Sequence, residues 1–210
     1  MHTQKDNWND FFEDKQKVSF GYDLWLDKYD QILASSQEQA ILDIGCGIGN
    51  NGLYLTEKGF NVIACDFSEK AINIVEELLP NAETKVFDML NTFPFENNSQ
   101  QVIIADLSIH YFYWHDTVKI VKEISRVLKK DGYFIGRVNS TNDINHGAGQ
   151  GIELEENFYK INNSFKRFFT KKQLRELFSI NEWRILNIDE TEMNRYSKPK
   201  VCWEFIVKKV

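Results

Sequence analysis

A chain of 210 residues with 42% hydrophobic and 27% charged residues has enough apolar surface to bury the core of one globular domain. Its formal net charge of −6 argues against a duplex nucleic acid partner, which requires a basic face. The sequence shows no apolar run of membrane-spanning length and no signal-peptide pattern at its start, and its three cysteines fit reduced thiols. We therefore expect a cytoplasmic protein without a membrane partner.

The first 39 residues are polar but rich in aromatic side chains. Apolar positions from Tyr22 to Leu33 follow helical spacing and predict a helix, and the stretch from Trp8 to Phe12 predicts a shorter helical turn. Two interpretations are open. The helices pack on the edge of the domain, or they form a lid whose aromatic side chains close over a substrate.

An apolar run over residues 40–44 leads into a glycine turn and then into a predicted helix over residues 53–58. The glycines stand at alternate positions: Gly45, Gly47 and Gly49. A strand, a tight turn and a helix N-terminus in this order form the place where α/β proteins bind nucleotides. The first two glycines let the chain reverse and let a ligand approach the backbone, and the third lets the helix pack closely on the sheet. Asn50 replaces the third glycine of the dinucleotide fingerprint.

Strands and helices alternate from residue 40 to residue 138. The predicted strands cover residues 40–44, 61–66, 85–88, 101–106 and 133–138. Ser68 is expected to cap one intervening helix, and Asp116 or Thr117 another, whose end is marked by Lys129 and Lys130. Continuous apolar strands separated by helices predict a parallel sheet with helices on both faces.

The last third of the chain breaks this alternation. Residues 139–168 are polar and glycine-rich and predict a long loop, which in a compact domain is functional or disordered. A helix is predicted over 170–178, and strands over 183–188 and 201–207 should pair antiparallel. The sequence therefore predicts a Rossmann-like α/β fold with a seven-stranded, mostly parallel sheet that ends in an antiparallel hairpin. The predicted organisation is a single domain with a helical lid (1–39), a cofactor-binding core (40–138), a substrate-loop insertion and helix (139–180) and a closing hairpin (181–210).

The pattern Asp43-x-Gly45-x-Gly47-x-Gly49 resembles the first motif of the class I S-adenosylmethionine-dependent methyltransferases, and residues 40–140 are similar to that family as a whole. The resemblance implies S-adenosyl-L-methionine as cofactor and S-adenosyl-L-homocysteine as product. It also implies that Asp43 lies near the positive methionine end of the cofactor.

The resemblance gives roles to further residues at strand ends. Asp66 follows the first motif by roughly 20 residues, the distance at which a carboxylate reaches the ribose hydroxyls. In that family an acid at the position of Asp88 accepts a hydrogen bond from the adenine amino group. The following side chain, here Met89, packs on one face of the adenine ring, and Phe67 is placed on the other face. Asp106 and Leu107 take the positions beside the methyl-donating centre. The alternative for Asp66 is that it merely precedes the helix cap, and the alternative for Asp88 is a plain turn aspartate.

Two histidines are candidate catalytic residues. His110 is the most attractive general base for a methyl acceptor that must lose a proton, and its alternative is a pocket-lining or helix-capping role. His146, with Arg167, is predicted to contribute polar contacts to the substrate wall, and the alternative is a flexible surface connection. No group of residues has metal-ligand spacing, and His115 beside Asp116 fits a helix start better.

The predicted function is transfer of a methyl group to a small-molecule O, N or S nucleophile. The segment that follows strand four lacks the Asn/Asp-Pro-Pro-Tyr pattern of the methyltransferases that act on DNA bases or glutamine, and no nucleic acid partner is expected. The alternatives are a noncatalytic S-adenosylmethionine-binding partner subunit and an NAD-dependent oxidoreductase. The sequence leaves open the acceptor, the use of a base and the oligomeric state.

Overall fold

The computed structural model describes residues 4–13, 20–36, 39–179 and 182–210. The α-helices are α1 (Gln4–Glu13), α2 (Asp30–Leu33), α3 (Asn50–Glu57), α4 (Glu69–Leu78), α5 (Trp114–Val127) and α6 (Lys171–Leu177). Short 3₁₀ segments cover Leu24–Tyr29, Ala34–Ser36 and Ile144–His146. The strands are β1 (Ile41–Ile44), β2 (Val62–Asp66), β3 (Glu83–Val86), β4 (Gln100–Asp106), β5 (Leu128–Asn139), β6 (Ile152–Glu155), β7 (Phe158–Ile161), β8 (Ser164–Arg167), β9 (Trp183–Met193) and β10 (Lys200–Lys209).

The main sheet has seven strands in the order β3-β2-β1-β4-β5-β10-β9. The pairs among β1 to β5 are parallel, whereas β10 runs antiparallel to both β5 and β9. The predicted Rossmann-like fold with a closing antiparallel hairpin is confirmed. The order reverses at β1, so the carboxyl ends of β1 and β4 border the crevice in which such sheets bind ligands.

Apolar clusters cover both faces of the sheet because its central strands carry apolar side chains on each side. One cluster packs Ile120 and Ile124 of α5 and Leu174 of α6 against one face. The other packs Trp25, Leu33 and neighbouring aromatic residues against the opposite face. Burial on both faces explains why every residue of β1 is buried, the acid Asp43 included, as is typical of a central parallel strand.

Two expectations about α5 were wrong. The helix begins at Trp114, before the predicted caps Asp116 and Thr117, and the Trp114 backbone N–H donates to Glu155 Oε2 at 2.9 Å. A carboxylate distant in sequence therefore takes the place of a local cap, which local patterns do not reveal. Lys129 and Lys130 lie in β5 rather than in the last turn of the helix.

The predicted long loop after β5 is partly a small antiparallel sheet. Strands β6, β7 and β8 pair in that order within residues 152–167. Alternation of polar and apolar residues is weak there, and β6 is largely exposed, so the strand pattern was missed. Glycine-rich irregular structure remains only between β5 and β6.

The two interpretations of the N-terminal aromatic residues apply to different segments. Trp25, Tyr29 and Leu33 are buried in the core, as helices packed on the domain edge require. Helix α1 instead lies beside α4, where the Ser68 hydroxyl donates to Asn9 Oδ1 at 2.6 Å. Residues 1–3, 14–19 and 37–38 of the predicted lid, and residue 181 of the predicted hairpin, lie outside the described residues. No helix in the described ranges is both long and apolar enough to cross a bilayer.

Candidate functional site

A cavity of about 740 Å³ lies beyond the carboxyl ends of the parallel strands. Most of the predicted cofactor residues line it: Gly45, Gly47, Asp66, Phe67, Asp88, Met89, Asp106 and Leu107. Asp43, Gly49, His110 and His146 are not among its lining residues. The fold therefore gathers side chains from the ends of four successive strands around one space.

The glycine turn needs its glycines for geometric reasons. Gly45 and Gly47 have φ angles of +67° and +55°, a region that favours glycine. A Cβ on Gly45 would stand 2.3 Å from Cβ of Ser108, whose hydroxyl donates to the Ile44 carbonyl at 2.8 Å. Gly49 begins α3 at φ +87°, and its Cβ would press on Val75 at 3.2 Å, so close packing occurs at the predicted position.

Asp66 joins the end of β2 to the glycine turn. Its Oδ2 accepts a hydrogen bond from the Gly47 N–H at 3.0 Å, and its Oδ1 accepts from the Ser68 N–H at 2.9 Å. Burial raises the pKa of this carboxyl above its ordinary value, although the bonds from the backbone oppose the shift. The Ser68 side chain accepts from Ala71 N–H at 3.2 Å and caps α4 as predicted. Asp66 thus precedes a helix cap and also faces the cavity.

Asp88 has a local structural role as well as a place in the lining. Its Oδ1 accepts from the Leu90 N–H at 2.9 Å, which is the hydrogen bond of an aspartate turn. Asp88 and Met89 both line the cavity. They lie beyond β3, which ends at Val86, two residues earlier than the sequence predicts.

Asp43 is fully buried beneath the cavity wall. Its Oδ1 accepts from the Asn51 side-chain amide at 3.4 Å, and its Oδ2 has no hydrogen-bond partner within the described part of the chain. Burial raises the pKa of this carboxyl to about 7. Asn51 also accepts from the Trp25 indole N–H at 3.1 Å and lines the cavity, so it connects Asp43 to the ligand space. A buried carboxylate oxygen without a partner calls for a cationic ligand group nearby.

Asp106 is held by two guanidinium groups at the end of β4. Arg137 donates to both of its oxygens at 2.7 Å, and Arg195 approaches Oδ2 at 3.4 Å. Burial favours the neutral acid, but the charge and hydrogen bonds of Arg137 outweigh that effect and lower the pKa of Asp106. Arg137 also pairs with Asp23 at 2.7 Å and stacks on Trp25. The carboxylate therefore stays ionised but is largely neutralised by its partners.

Aromatic rings line the cavity beside the glycine turn and the segment after β4. Trp8, Phe11 and Phe12 of α1 line it together with Tyr111 and Phe112 from the segment after β4. The Trp8 and Tyr111 rings meet edge to face at 5.3 Å. Helix α1 therefore spans from the glycine turn to the segment after β4 and covers the space between them.

His110 does not occupy the position that its predicted role requires. Its side chain is buried, only 2% of the residue is exposed, and Tyr111 packs against it with ring centroids 4.3 Å apart. Burial, with the nearby charges of Lys200 and Lys166, holds the pKa of His110 well below its ordinary value. Its Nδ1 has no hydrogen-bond partner among the described residues. This placement argues against a base that touches an acceptor inside the cavity.

His146 and Arg167 also lie outside the lining. His146 is half-buried, and its Nε2 is 3.1 Å from the Lys198 carbonyl, while its ring lies 5.3 Å from that of Tyr196. Arg167 is buried and forms an ion pair with Glu155. Arg167 supports the small sheet, and His146 reaches the cavity only through Tyr196.

Several lining residues had no role in the sequence analysis, among them Arg195 and Tyr196 at the turn between β9 and β10. No local pattern marks them, since a cation and an aromatic residue in a hairpin turn are common on protein surfaces. Ser108 was also missed. It follows β4 directly, and a small residue there was the available signal, since it leaves room for the glycine turn.

Within the described residues, no group of three or more His, Cys, Asp or Glu side chains is placed to hold a metal ion. The groups present fit S-adenosylmethionine. The unpartnered oxygen of Asp43 suits a ligand with a positive end, and the glycine turn leaves backbone open where a Cβ would collide.

Comparison with known proteins agrees with this fold. The family model for the methyltransferase domain matches residues 41–132. The tRNA N(3)-cytidine methyltransferase METTL6 of Mus musculus is 30% identical over an alignment of 193 positions that covers 82% of this chain and 67% of METTL6. YqeM of Bacillus subtilis is 32% identical over 57% of this chain and 49% of its own length.

A solved S-adenosylmethionine-dependent methyltransferase from Methanosarcina mazei superposes with a TM-score of 0.75 at 24% identity, covering 87% of this chain and 98% of that one. The chain belongs to the class I S-adenosylmethionine-dependent methyltransferases. Members of this family use S-adenosylmethionine as methyl donor, so membership in it counts against the NAD-dependent alternative. The chain spans about half the length of several curated relatives, such as 48% of the Drosophila melanogaster tRNA N(3)-methylcytidine methyltransferase Mettl2.

Proposed function

We propose that this enzyme methylates a small molecule at an oxygen, nitrogen or sulfur nucleophile. The observation that carries the proposal is the cavity. Its volume of about 740 Å³ lies within the range of roughly 300–1,000 Å³ that is usual for small-molecule sites. Helix α1 covers it with Trp8, Phe11 and Phe12. A covered, aromatic-lined space suits a compact acceptor better than a nucleotide held within a folded RNA.

We further propose the following roles for the chain toward the cofactor. Asp66 accepts from the ribose hydroxyls, and Asp88 accepts from the adenine amino group, with Met89 and Phe67 against the ring faces. The Asp43–Asn51 pair and the backbone around Gly45 and Gly47 hold the methionine end. Support comes from the lining positions of these residues and from the unpartnered Asp43 oxygen.

When bound, S-adenosylmethionine would supply a methyl group activated by a sulfonium, whose sulfur becomes a neutral thioether once the acceptor lone pair has taken the methyl. The chain's contribution is to orient the acceptor and exclude water. Trp8 and Tyr111 bring the covering helix against the segment after β4, which keeps the reacting atoms together. Correct juxtaposition supplies much of the rate, so the buried position of His110 is compatible with catalysis.

The proposed organisation of the chain follows from these contacts. Helix α1 acts as the lid, residues 40–138 hold the cofactor, residues 139–180 shape the acceptor side and the β9–β10 hairpin closes the sheet. The charged contacts Lys5–Glu69 and Lys70–Glu13 hold the lid on α4. Exposed ion pairs of this kind contribute about 1 kcal/mol or less, so the packing of buried Phe12 against Ile48 and Ala71 contributes more to holding α1 in place.

A second candidate acceptor is a cytidine of tRNA. METTL6 and Mettl2, whose names describe tRNA cytidine methyltransferases, match 82% and 68% of this chain. The net charge of −6 opposes this candidate, because binding to a phosphate backbone needs clustered cations. Relatives that are roughly twice as long also contain segments that this chain does not match.

The test is a product assay that counts S-adenosylhomocysteine release on two acceptor sets. One set contains planar phenols, anilines and thiols, and the other contains total tRNA and tRNA transcripts. Turnover of small molecules with no methyl incorporation into tRNA supports the proposal. Incorporation into tRNA at the higher efficiency would replace it with the second candidate. Cofactor binding measured by calorimetry, with no turnover of either set, would favour a noncatalytic partner subunit.

A further inference from the structure

The inference concerns the acceptor side of the cavity, where one guanidinium has unused hydrogen-bond donors. Arg195 lines the cavity, and its side chain is 24% exposed. Among the described residues its one hydrogen bond is the 3.4 Å contact of Nη2 with Asp106. A guanidinium has five N–H donors, so most of those on Arg195 are free for a ligand.

The contact with Asp106 does not explain why a cation stands at this position. Both oxygens of Asp106 already accept bonds of 2.7 Å from Arg137. Arg195 adds a longer contact to a carboxylate that is already neutralised. Its charge is therefore available to a second anion, and placing a cation at a partly enclosed wall is costly unless an anion binds there.

Sheet topology places Arg195 on the acceptor half of the cavity. The proposed cofactor residues lie at the ends of β1, β2 and β3, on one side of β4. Arg195 belongs to the turn between β9 and β10, at the opposite end of the sheet order. A side chain that reaches the cavity from that end meets a ligand beyond β4 before it meets the cofactor.

The surroundings of Arg195 are aromatic. Its guanidinium carbon lies 5.7 Å from the ring centre of Tyr196, which also lines the cavity, and Tyr111 and Trp8 form the wall nearby. Flat apolar faces beside one cation favour a planar ligand with a negative substituent. A guanidinium fork matches the geometry of a carboxylate.

The charge count at the wall favours a carboxylate over a phosphate. The two cationic lining residues in the described part of the chain are Lys5 and Arg195. Lys5 belongs to α1 and pairs with Glu69 at 3.0 Å, on the side of α4. One free guanidinium balances one singly charged carboxylate, whereas a phosphate dianion calls for a second cation.

We propose that the methyl acceptor is a planar carboxylate and that Arg195 holds its carboxylate group against the wall formed by Tyr196 and Tyr111. This inference rests on the proposed small-molecule function and names its substrate class. Arg195 acts by binding and orienting the acceptor, since the reacting atom lies at the other end of the ligand.

The test compares matched probes on the enzyme loaded with S-adenosylhomocysteine. The probes are 4-hydroxybenzoate, 4-aminobenzoate and 4-mercaptobenzoate, each paired with its carboxamide, so that every nucleophile is tried with and without the charge. Calorimetry should show tighter binding of the carboxylate by about tenfold to a hundredfold, the range of a charge-assisted hydrogen bond. Arg195→Gln should abolish this preference, and Arg195→Lys should restore part of it.

Lys198→Gln is the matched control. Lys198 carries the same charge on the same turn, is exposed and does not line the cavity, so its replacement should leave the preference unchanged. The affinity of Arg195→Gln for S-adenosylhomocysteine should stay within about threefold of the unmodified chain, since the residue addresses the acceptor.

Three results would overturn the inference: equal affinity for carboxylates and carboxamides, no saturable binding of any carboxylate while S-adenosylhomocysteine binds, or an Arg195→Gln variant that loses cofactor affinity instead. Methylation assays on the same probes distinguish failure of the carboxylate assignment from failure of the small-molecule function. Efficient methylation of the neutral probes would overturn the carboxylate and leave the small-molecule function standing. Methylation of tRNA with no binding of any probe would overturn both.

Discussion

Arg137 donates two hydrogen bonds of 2.7 Å to Asp106 and, on its other edge, pairs with Asp23. This buried guanidinium links the end of β4, which borders the cavity, to the N-terminal segment that packs on the sheet. The position of the Asp106 carboxylate is thus fixed by residues from three distant parts of the chain.

Removing Arg137 should cost far more stability than removing its outer partner. Arg137→Met leaves the buried Asp106 charge with only the longer contact from Arg195, and we expect a loss of about 3–5 kcal/mol in the free energy of unfolding. Asp23→Asn is the comparison, because the Asp23 side chain is 31% exposed, and it should cost about 1 kcal/mol or less. Urea unfolding monitored by circular dichroism measures both. Equal losses would contradict this reading of the network.

Asp43→Asn should stabilise the ligand-free protein at neutral pH while weakening cofactor binding. The pKa of Asp43 is raised to about 7 in the fold, so the folded chain binds this proton more tightly than the unfolded chain does. Stability from this group is therefore lost as pH rises from about 4 to about 7, and the penalty is complete above that. The variant lacks the penalty and should gain about 1–3 kcal/mol at pH 8, with little gain at pH 4.

Thermal unfolding of both proteins across pH 4–8 measures this difference, and calorimetry with S-adenosylhomocysteine measures the binding. We expect an affinity loss of about tenfold or more, as for a lost charged contact. A gain in stability that is independent of pH would show that titration of Asp43 is not its source.

Gly45→Ala should damage the protein much more than Gly59→Ala. Both glycines have positive φ angles, +67° and +84°, so both variants carry backbone strain of about 1 kcal/mol. Only the Cβ at position 45 meets another atom, Cβ of Ser108 at 2.3 Å, whereas nothing lies within 4 Å at position 59. Unfolding midpoints and S-adenosylhomocysteine affinity should therefore fall clearly in the first variant. In the second, affinity should be unchanged.

Asp66→Asn should weaken the binding of both S-adenosylmethionine and S-adenosylhomocysteine by about tenfold or more, because a carboxylate accepts from two ribose hydroxyls better than an amide does. Calorimetry measures the affinity, and the thermal midpoint controls for damage to the Gly47 and Ser68 contacts. Unchanged affinity in a well-folded variant would remove Asp66 from the cofactor site.

The pH dependence of turnover tests whether His110 or His146 acts as a general base. Since His110 is buried behind Tyr111, we expect His110→Asn to leave the shape of the pH–rate profile unchanged, with any loss visible as lower thermal stability. His146→Ala should keep cofactor affinity and reduce turnover through Tyr196, which its ring contacts. A general base must be unprotonated, so if the fall in rate at low pH disappears in either variant, that histidine is the base.

Some residues of the site were predictable because short local sequence patterns mark them. The glycine turn follows β1, Asp66 and Asp106 end the apolar strands β2 and β4, and Asp88 lies two residues beyond β3; parallel strands bring their carboxyl ends to one edge. Predictions failed where a partner distant in sequence decides the outcome. The Glu155 carboxylate accepts the hydrogen bond from the first N–H of α5 in place of a local cap, and Tyr111 packs against the buried His110.

The sequence by itself determined the fold class, the alternation of strands and helices from residue 40 to residue 138 and the closing hairpin, because strand periodicity and turn chemistry act between near neighbours. The cofactor followed from the resemblance of the glycine turn to a known family. Only the tertiary structure decided which side chains face the acceptor. Arg195 meets Asp106 across 89 residues of sequence, and Trp8 of the first helix meets Tyr111 after the fourth strand. Such contacts depend on how elements pack, since packing brings together residues that no local pattern relates.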